Sequence, residues 1–323
     1  MKKFFVKVFI ILIPLIVGIS IVILPPLPEN NYYCAIIDKH RILANAKSPK
    51  IALAGGSNLV YGINSTAISD RFSISVVNMG ITAGIGLGRI VDDISQFLHT
   101  GDVLLIIPEY PYFTNVWDGD FTAYELIFGV QQYRLLWSSY YGMPRGFSNY
   151  FSMRLNYRRS VIVQAIKQKT GQNEKEQNKE QEMADILALS RDGFNEYGDY
   201  LEHLGMKNRP FVSSESAGIL NRTYLNNFFR LVDTLTKRGI TVMLSYPSYE
   251  EQSFRNSAAL IQELDMLFRA KENLKVISTP DSYCYPVECF YDTPYHLNRE
   301  GRALRTNQLI LDLQASGFFA IDF

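Results

Sequence analysis

The chain is poor in cysteine and histidine and has no excess of charge of either sign. Its 323 residues include three cysteines and four histidines, and 32 basic residues balance 32 acidic ones. Because phosphate backbones are bound by a basic excess or stripe, we expect no nucleic-acid partner. Metal sites of this kind need two clusters of cysteine or histidine ligands, and the few cysteines and histidines of this chain do not form them. We therefore expect no metal site. A Walker pattern and the glycine spacing of a dinucleotide-binding turn are both missing, and we expect no cofactor.

A long apolar run is present at the N-terminus. An uncharged stretch from 8 to 24 ends at Pro25-Pro26, and three lysines precede it: Lys2, Lys3 and Lys7. With residues 4–6, the run approaches the roughly 20 residues that cross a bilayer. Lysines before the run predict a cytoplasmic N-terminus. We therefore predict a transmembrane signal-anchor over residues 1–28 and a juxtamembrane stretch over 29–48, helical from Ala35 to Ala46.

A cleaved signal peptide is the alternative for this segment. Signal peptides have a shorter apolar core and a small-residue cleavage site, whereas this run ends in Leu-Pro-Pro-Leu-Pro. Under either interpretation the rest of the chain lies outside the cytoplasm. The predicted location is the cell membrane, crossed once, with an extracytoplasmic C-terminal domain.

The remaining chain, residues 49–323, alternates short apolar runs with helical patterns. Each run is too short for a helix and rich in β-branched residues or leucine: 51–54, 74–77, 103–107, 241–244 and 274–277. The helical patterns fall between or after the runs: 88–98, 220–238, 257–271 and 299–315. This order is typical of βαβ units and a parallel sheet covered on both faces. We predict an α/β fold, a flavodoxin-like three-layer domain with a five-stranded parallel sheet.

A helical and aromatic insertion is predicted at about 109–204, between the third and fourth strands. Its polar part, Lys167 to Glu182, is predicted to be a loop or a solvated helix end. The aromatic residues of the first half could pack in a small core, contact the membrane surface or stack against sugar rings. The best candidates for substrate binding directly follow the third strand: Tyr110, Tyr112 and Phe113.

A serine lies at the end of the first strand, in Gly55-Gly56-Ser57-Asn58. Glycines permit a sharp turn and close backbone approach, and the N–H groups after such a turn can stabilise an oxyanion. Phosphate binding is another use of glycine-rich strand–helix turns. By itself, the pattern leaves both uses open.

A histidine near the other end of the chain has an acidic neighbour. Asp292 precedes His296 by four residues, in a loop that leads into the last helix. An acid can hold one imidazole nitrogen while the other faces a nucleophile. The alternative is a structural loop in which Asn298 caps the helix and His296 is merely packed.

Together these segments resemble the SGNH/GDSL hydrolase superfamily. Gly-x-Ser at 55–57, Asn78-Met79-Gly80 and Asp…His-Leu-Asn-x-x-Gly at 292–301 are similar to its first, second and last blocks. The resemblance covers roughly residues 49–107 and 206–316. It implies that Ser57 attacks an ester carbonyl, His296 takes its proton and Asp292 orients the imidazole. It also implies that the N–H groups of Ser57 and Gly80 bind the oxyanion.

Two features depart from the family pattern. The third block has an asparagine that completes the oxyanion hole, but here the third strand runs into Pro108-Glu109. A carboxylate there would repel an oxyanion unless protonated or turned away, and Asn58 or a backbone N–H would have to substitute. The acid normally precedes the histidine by three residues, not by the four that separate Asp292 from His296.

An N-terminal anchor with an outward-facing SGNH domain is similar to the alginate O-acetylation and lipoteichoic acid D-alanylation proteins. This resemblance implies an esterase or O-acyltransferase that acts on an exported or cell-envelope polysaccharide through an acyl-serine. The implied partners are an acylated glycan, the membrane and a membrane-bound O-acyltransferase. The alternative is a catalytically weakened SGNH-like domain that binds polysaccharide or scaffolds an assembly.

Two cysteines lie just before the acidic residue. Cys284 and Cys289 could close a small loop in an oxidising compartment, or remain two thiols. A disulfide would brace the segment that presents Asp292 and His296.

Overall fold

Five parallel strands form the central sheet of the computed structural model, which describes residues 2–170, 189–211 and 216–317. Their order is β2-β1-β3-β4-β6, with these bounds: β1 Lys50–Gly55, β2 Ser75–Asn78, β3 Val103–Ile107, β4 Thr241–Leu244 and β6 Lys275–Val276. In this register Ile51 lies beside Val76 on one side and Val103 on the other. The predicted α/β class with a five-stranded parallel sheet is confirmed, and the strand order is consistent with flavodoxin-like domains.

Helices cover both faces of the sheet. Ala52 and Ala54 of β1 face one core, and Ile51 and Leu53 face another. Burial on both faces explains why the strands read as continuous apolar runs. The helices have these bounds: α1 Lys2–Ile23, α2 Ala35–Asn45, α3 Ser57–Gly62, α4 Ser65–Phe72, α5 Leu87–Ser95, α6 Phe147–Thr170, α7 Arg222–Lys237, α8 Glu251–Asn256, α9 Ala258–Arg269 and α10 Arg299–Ala315. Helices α5, α7 and α9 pack into the first core, while α4 and α10 pack into the second.

In the described part of the segment between β3 and α7, short turns flank one long helix, α6. It includes a 3-10 turn at Tyr110–Phe113 and a π-helix at Glu125–Gly129. Of the polar run at 167–182, residues 167–170 end α6, and the rest lies outside the described residues. A second, two-stranded sheet pairs β5 Tyr249–Glu250 with β7 Cys284–Tyr285.

The N-terminal segment is held against the insertion. Among the described residues, we find no helix with both the length and the apolar character needed to cross a membrane. The Leu27 N–H donates to the carbonyl of Gly129 at 2.8 Å, and the Tyr150 hydroxyl donates to the carbonyl of Ile23 at 3.3 Å. These bonds join both ends of residues 23–27 to the insertion.

Helix α2 is attached to the end of β2 by a buried lysine. The Lys39 ammonium donates to the carbonyls of Asn78 at 2.8 Å and Gly198 at 2.6 Å. Burial lowers the pKa of Lys39 to about 7, against the opposing effect of Asp199. One side chain thus joins helix α2, the insertion and the sheet.

Candidate active site

Ser57 is the first residue of α3 and directly follows the β1–α3 turn. An added Cβ at Gly55 would lie 2.5 Å from the carbonyl oxygen of Ile107, and one at Gly56 would lie 2.6 Å from Glu109 Oε1. Both positions therefore require glycine because neighbouring groups approach the backbone too closely for a side chain. The turn holds Ser57 at the carboxyl edge of the sheet, where ligands of such folds bind.

Asp292 and His296 lie together at the same end of the molecule. His296 Nδ1 is 2.7 Å from Asp292 Oδ1, so the four-residue spacing permits this contact. The loop is fixed by two further bonds: the His296 N–H donates to the Thr293 hydroxyl at 3.1 Å, and the Tyr291 N–H donates to the His296 carbonyl at 2.7 Å. With Nδ1 engaged, Nε2 is the nitrogen that can face a nucleophile.

Tyr61 connects the histidine with the helix of the serine. The rings of Tyr61 and His296 are stacked, with centroids 4.2 Å apart and planes at 17°. Ser57 and Tyr61 are four residues apart in α3 and lie on the same face of that helix. His296 is therefore stacked one helical turn from Ser57.

Glu109 accepts hydrogen bonds from donors at the start of α3. The Ser57 hydroxyl donates to Glu109 Oε1 at 3.4 Å, and the Asn58 N–H donates to the same oxygen at 3.1 Å. Burial raises the pKa of Glu109, while the Asn58 N–H, the charge of His296 and the Ser57 hydroxyl oppose that rise. The carboxyl group at which the sequence departs from the SGNH pattern is thus in contact with Ser57.

The two further oxyanion donors expected from the resemblance are engaged elsewhere. The Gly80 N–H donates to Asn78 Oδ1 at 3.0 Å. The Asn58 side chain accepts from the Gly56 N–H at 3.1 Å and donates to the carbonyl of Ile107 at 3.1 Å. The Asn58 amide therefore braces the turn, and the role of Asn58 as an oxyanion donor stays a prediction.

The aromatic residues after β3 are core residues. Tyr110, Tyr112 and Phe113 are 2%, 0% and 0% exposed. The Tyr110 ring packs against Tyr249 at 5.3 Å, and the Phe113 ring packs against Phe268 at 5.1 Å. The prediction that they form a sugar-stacking surface is wrong, because the 3-10 turn directs their rings into the first core. An added Cβ at Gly56 would lie 2.6 Å from the Tyr112 hydroxyl, so this hydroxyl borders the site.

Cys284 and Cys289 are free thiols, so the predicted disulfide is not formed. Cys284 belongs to β7 and pairs in register with Tyr249 of β5. Cys289 ends a 3-10 turn and packs with Phe290 and Leu297 in a separate small core. The two thiols are held by different parts of the structure. The segment before Asp292 is instead held by packing and by Asn298, whose side-chain amide donates to the carbonyl of Glu288 at 2.6 Å and whose N–H donates to the carbonyl of Cys289 at 3.0 Å.

His203 is a buried histidine beside the site that the sequence pattern did not single out. Its ring lies 4.7 Å from the Tyr61 ring, and neither ring nitrogen has a hydrogen-bond partner among the described residues. Burial, followed by the charge of Arg302, lowers the pKa of His203 to about 4. His203 is therefore neutral at pH 7 and adds an aromatic wall to the site.

Acid should destabilise the fold through His203. A pKa lowered from 6.5 to about 4 means that the unfolded chain binds the proton more readily, so stability falls as pH drops from about 6.5 to 4. The loss at pH 4 should be about 3 kcal/mol. Urea unfolding between pH 8 and pH 4 measures it. His203→Phe should reduce this pH dependence by that amount. The difference between the two proteins at pH 8 gives the packing cost separately, and equal pH dependence would contradict the assignment.

No family model matches the sequence, and a search of curated proteins gives no match either. In the part of the chain that the structure describes, there is no group of three or more histidine, cysteine or acidic side chains that could hold a metal ion. The chemistry open to this site is therefore set by Ser57, His296, Asp292 and Glu109.

Proposed function

We propose that this protein is an SGNH-type serine esterase or O-acyltransferase with a flavodoxin-like three-layer domain. The observation that supports it is the Asp292–His296 pair at 2.7 Å, stacked on the helix that begins with Ser57. A packed structural histidine does not need a carboxylate on Nδ1 and a serine helix beneath its ring. An acid on one imidazole nitrogen and a serine near the other is the arrangement that nucleophilic catalysis uses.

The reaction proceeds in two halves. The Ser57 hydroxyl oxygen attacks the ester carbonyl while His296 Nε2 takes the hydroxyl proton, and the charge of Asp292 stabilises the imidazolium. The tetrahedral intermediate then expels the alcohol, which receives the proton from His296, and an acyl-Ser57 ester remains. Water attacks this ester in an esterase, and a sugar hydroxyl attacks it in a transferase. His296 removes the proton of the attacking group in both cases.

The oxyanion is stabilised by the N–H groups at the start of α3. The Asn58 N–H now donates to Glu109 Oε1, so the substrate oxygen must displace that carboxyl group. Burial favours a neutral Glu109, and a neutral carboxyl group repels the oxyanion less than a carboxylate does. When the ester enters, its carbonyl oxygen therefore replaces Glu109 Oε1 as the acceptor of the Asn58 N–H.

The location and the substrate are part of the same proposal. The apolar run after the N-terminal lysines anchors the chain, and the domain acts outside the cytoplasm. The substrate is then an exported or cell-envelope polysaccharide, and a membrane-bound O-acyltransferase is the expected source of acyl groups. These assignments follow from the resemblance of the anchor and the three sequence blocks to cell-envelope SGNH proteins.

A second candidate function is a polysaccharide-binding or assembly scaffold. Two observations favour it: the Asn58 N–H already donates to Glu109, and the Gly80 N–H already donates to Asn78. In a scaffold the Ser57 hydroxyl would serve only as a polar group in the turn.

Labelling with a fluorophosphonate probe separates the two functions. The full-length protein should be labelled covalently, and Ser57→Ala and His296→Ala should each abolish labelling. Ser152→Ala, which removes an exposed serine of α6, is the matched control and should label like the wild type. In cells, Ser57→Ala should change the acylation of envelope polysaccharide. An unlabelled wild-type protein with unchanged acylation in the Ser57→Ala strain would favour the scaffold.

A further inference from the structure

A cavity of about 220 Å³ lies between residues 27–33 and the insertion. This volume is far above the roughly 10–15 Å³ that one buried water requires. Most of its wall is apolar or aromatic and comes from both segments: Leu27, Tyr33, Phe121 and Met153. The cavity therefore has room for an apolar group larger than water.

One part of the wall carries charge. Glu125 and Arg154 both line the cavity, and Arg154 is 2% exposed. Arg154 Nη1 is 3.7 Å from Glu125 Oε2, which is too long for a hydrogen bond. Glu125 Oε2 and Arg154 Nε are buried without a hydrogen-bond partner among the described residues. Buried polar atoms normally have hydrogen-bond partners. A polar group of a bound ligand would satisfy the two unpartnered atoms of this wall.

The charge of the wall favours an anion. Burial raises the pKa of Glu125, although Arg154 and Arg158 oppose that rise. Glu125 is therefore less ionised than an exposed glutamate. It compensates less of the positive charge of the arginines. Arg158 Nε is also buried without a partner among the described residues. Guanidinium groups bind carboxylate and phosphate oxygens strongly. A ligand with an anionic head and an apolar body complements both parts of the wall.

The surroundings continue the apolar surface. Arg154 and Arg158 both donate to the carbonyl of Pro25, directly after α1, with the Arg158 bond at 3.3 Å. Three exposed apolar side chains lie near this point: Ile21 of α1, Leu24 directly after that helix and Leu155 of α6. An alkyl chain longer than the cavity can extend along that surface.

We propose that this cavity binds a single-chain anionic lipid, with its alkyl chain among Leu27, Phe121 and Met153 and its anionic head at Arg154. The site is separate from Ser57 and does not depend on the esterase proposal. A fatty acid and a lysophospholipid share the required chemistry, and they differ in the size of the head group.

Photo-crosslinking tests the proposal with the full-length protein in lipid nanodiscs. A diazirine-labelled palmitate should mark residues 121–125 and 153–157, as read by mass spectrometry of the peptides. Met153→Trp fills the cavity and should reduce labelling about tenfold. Ile162→Trp adds the same ring to an exposed position of α6 outside the cavity wall and should leave labelling at the wild-type level.

Competition identifies the head group. Unlabelled palmitate should compete at least tenfold better than hexadecanol, and Arg154→Met should remove this preference. If lysophosphatidylglycerol competes as well as palmitate or better, the anionic head group is that of a phospholipid. Ser57→Ala should bind like the wild type, so failure of the catalytic proposal leaves this test unaffected. Equal labelling of Met153→Trp and Ile162→Trp in folded protein, or labelling spread evenly along α1, would overturn the proposal.

Discussion

Replacing Asp292 by asparagine should lower the rate of Ser57 acylation by about 10⁴-fold, the loss seen when a triad aspartate is replaced by its amide. The carboxylate lies 2.7 Å from His296 Nδ1. In the proposed mechanism it keeps the proton on Nδ1 and stabilises the imidazolium that forms when Ser57 loses its proton. The amide of asparagine can donate to Nδ1, which would place the proton on Nε2 and remove the base. The rate of fluorophosphonate labelling under single-turnover conditions measures the effect.

Asp281→Asn is the control for this substitution. Asp281 is an exposed acidic residue that precedes β7, whereas Asp292 follows that strand. Its replacement should leave the labelling rate within about twofold of the wild type, because exposed charges interact weakly. If Asp292→Asn labelled as fast as Asp281→Asn, Asp292 would have no part in catalysis.

Replacing Glu109 by glutamine should increase the acylation rate on the order of 10²-fold at high pH, the size of effect that one oxyanion-hole donor has. Glutamine keeps the shape of the side chain and its acceptor oxygen but removes the charge. It also presents an amide N–H after the third strand, where the SGNH pattern has asparagine. The position that now repels the oxyanion would then be able to donate to it.

The pH dependence should identify the charge of Glu109 as the cause. Because burial raises the pKa of Glu109, the wild-type carboxyl group is protonated at low pH and ionised as pH rises through that pKa. The ratio of the two acylation rates should therefore increase with pH. The free energy of unfolding should depend on pH for the same reason. Because the pKa of Glu109 is raised in the folded state, wild-type stability should fall as pH rises, and the stability of Glu109→Gln should fall less.

Labelling rates and urea unfolding measured from pH 5 to pH 9 provide both quantities. Glu288→Gln, at an exposed position near His296 in sequence, is the matched control and should show the wild-type profile. A Glu109→Gln variant slower than the wild type throughout this range would mean that Glu109 assists the reaction. The carboxyl group would then have a catalytic role rather than an inhibitory one.

The sequence predicted the sheet because its strands are buried on both faces. Runs such as 103–107 are apolar at every position, and that pattern depends on burial alone. The short strands β5 and β7 were not predicted, since two-residue strands leave no periodicity to read. Helix α3 was also missed because six residues are too few to show a helical repeat.

The candidate site was predictable where spacing determines position. Ser57 follows a strand, and Asp292 precedes His296 in one loop, so local order brings these groups to defined places. The orientation of the side chains after β3 was not predictable in this way. The buried rings of Tyr110 and Phe113 and the contact of Glu109 with Ser57 depend on how the 3-10 turn packs against distant helices. Sequence neighbours do not determine that packing.

The Lys39 attachment has a mechanical consequence. Lys39 holds the carbonyl of Asn78, and the Asn78 side chain in turn bonds the Gly80 N–H and the carbonyl of Leu59 in the serine helix. A force applied to the N-terminal segment would therefore load α2, the end of β2 and α3 as one unit, because these bonds lie in series. Tension between an immobilised N-terminus and a bound polymer would reach the residues around Ser57 rather than being absorbed by a slack linker.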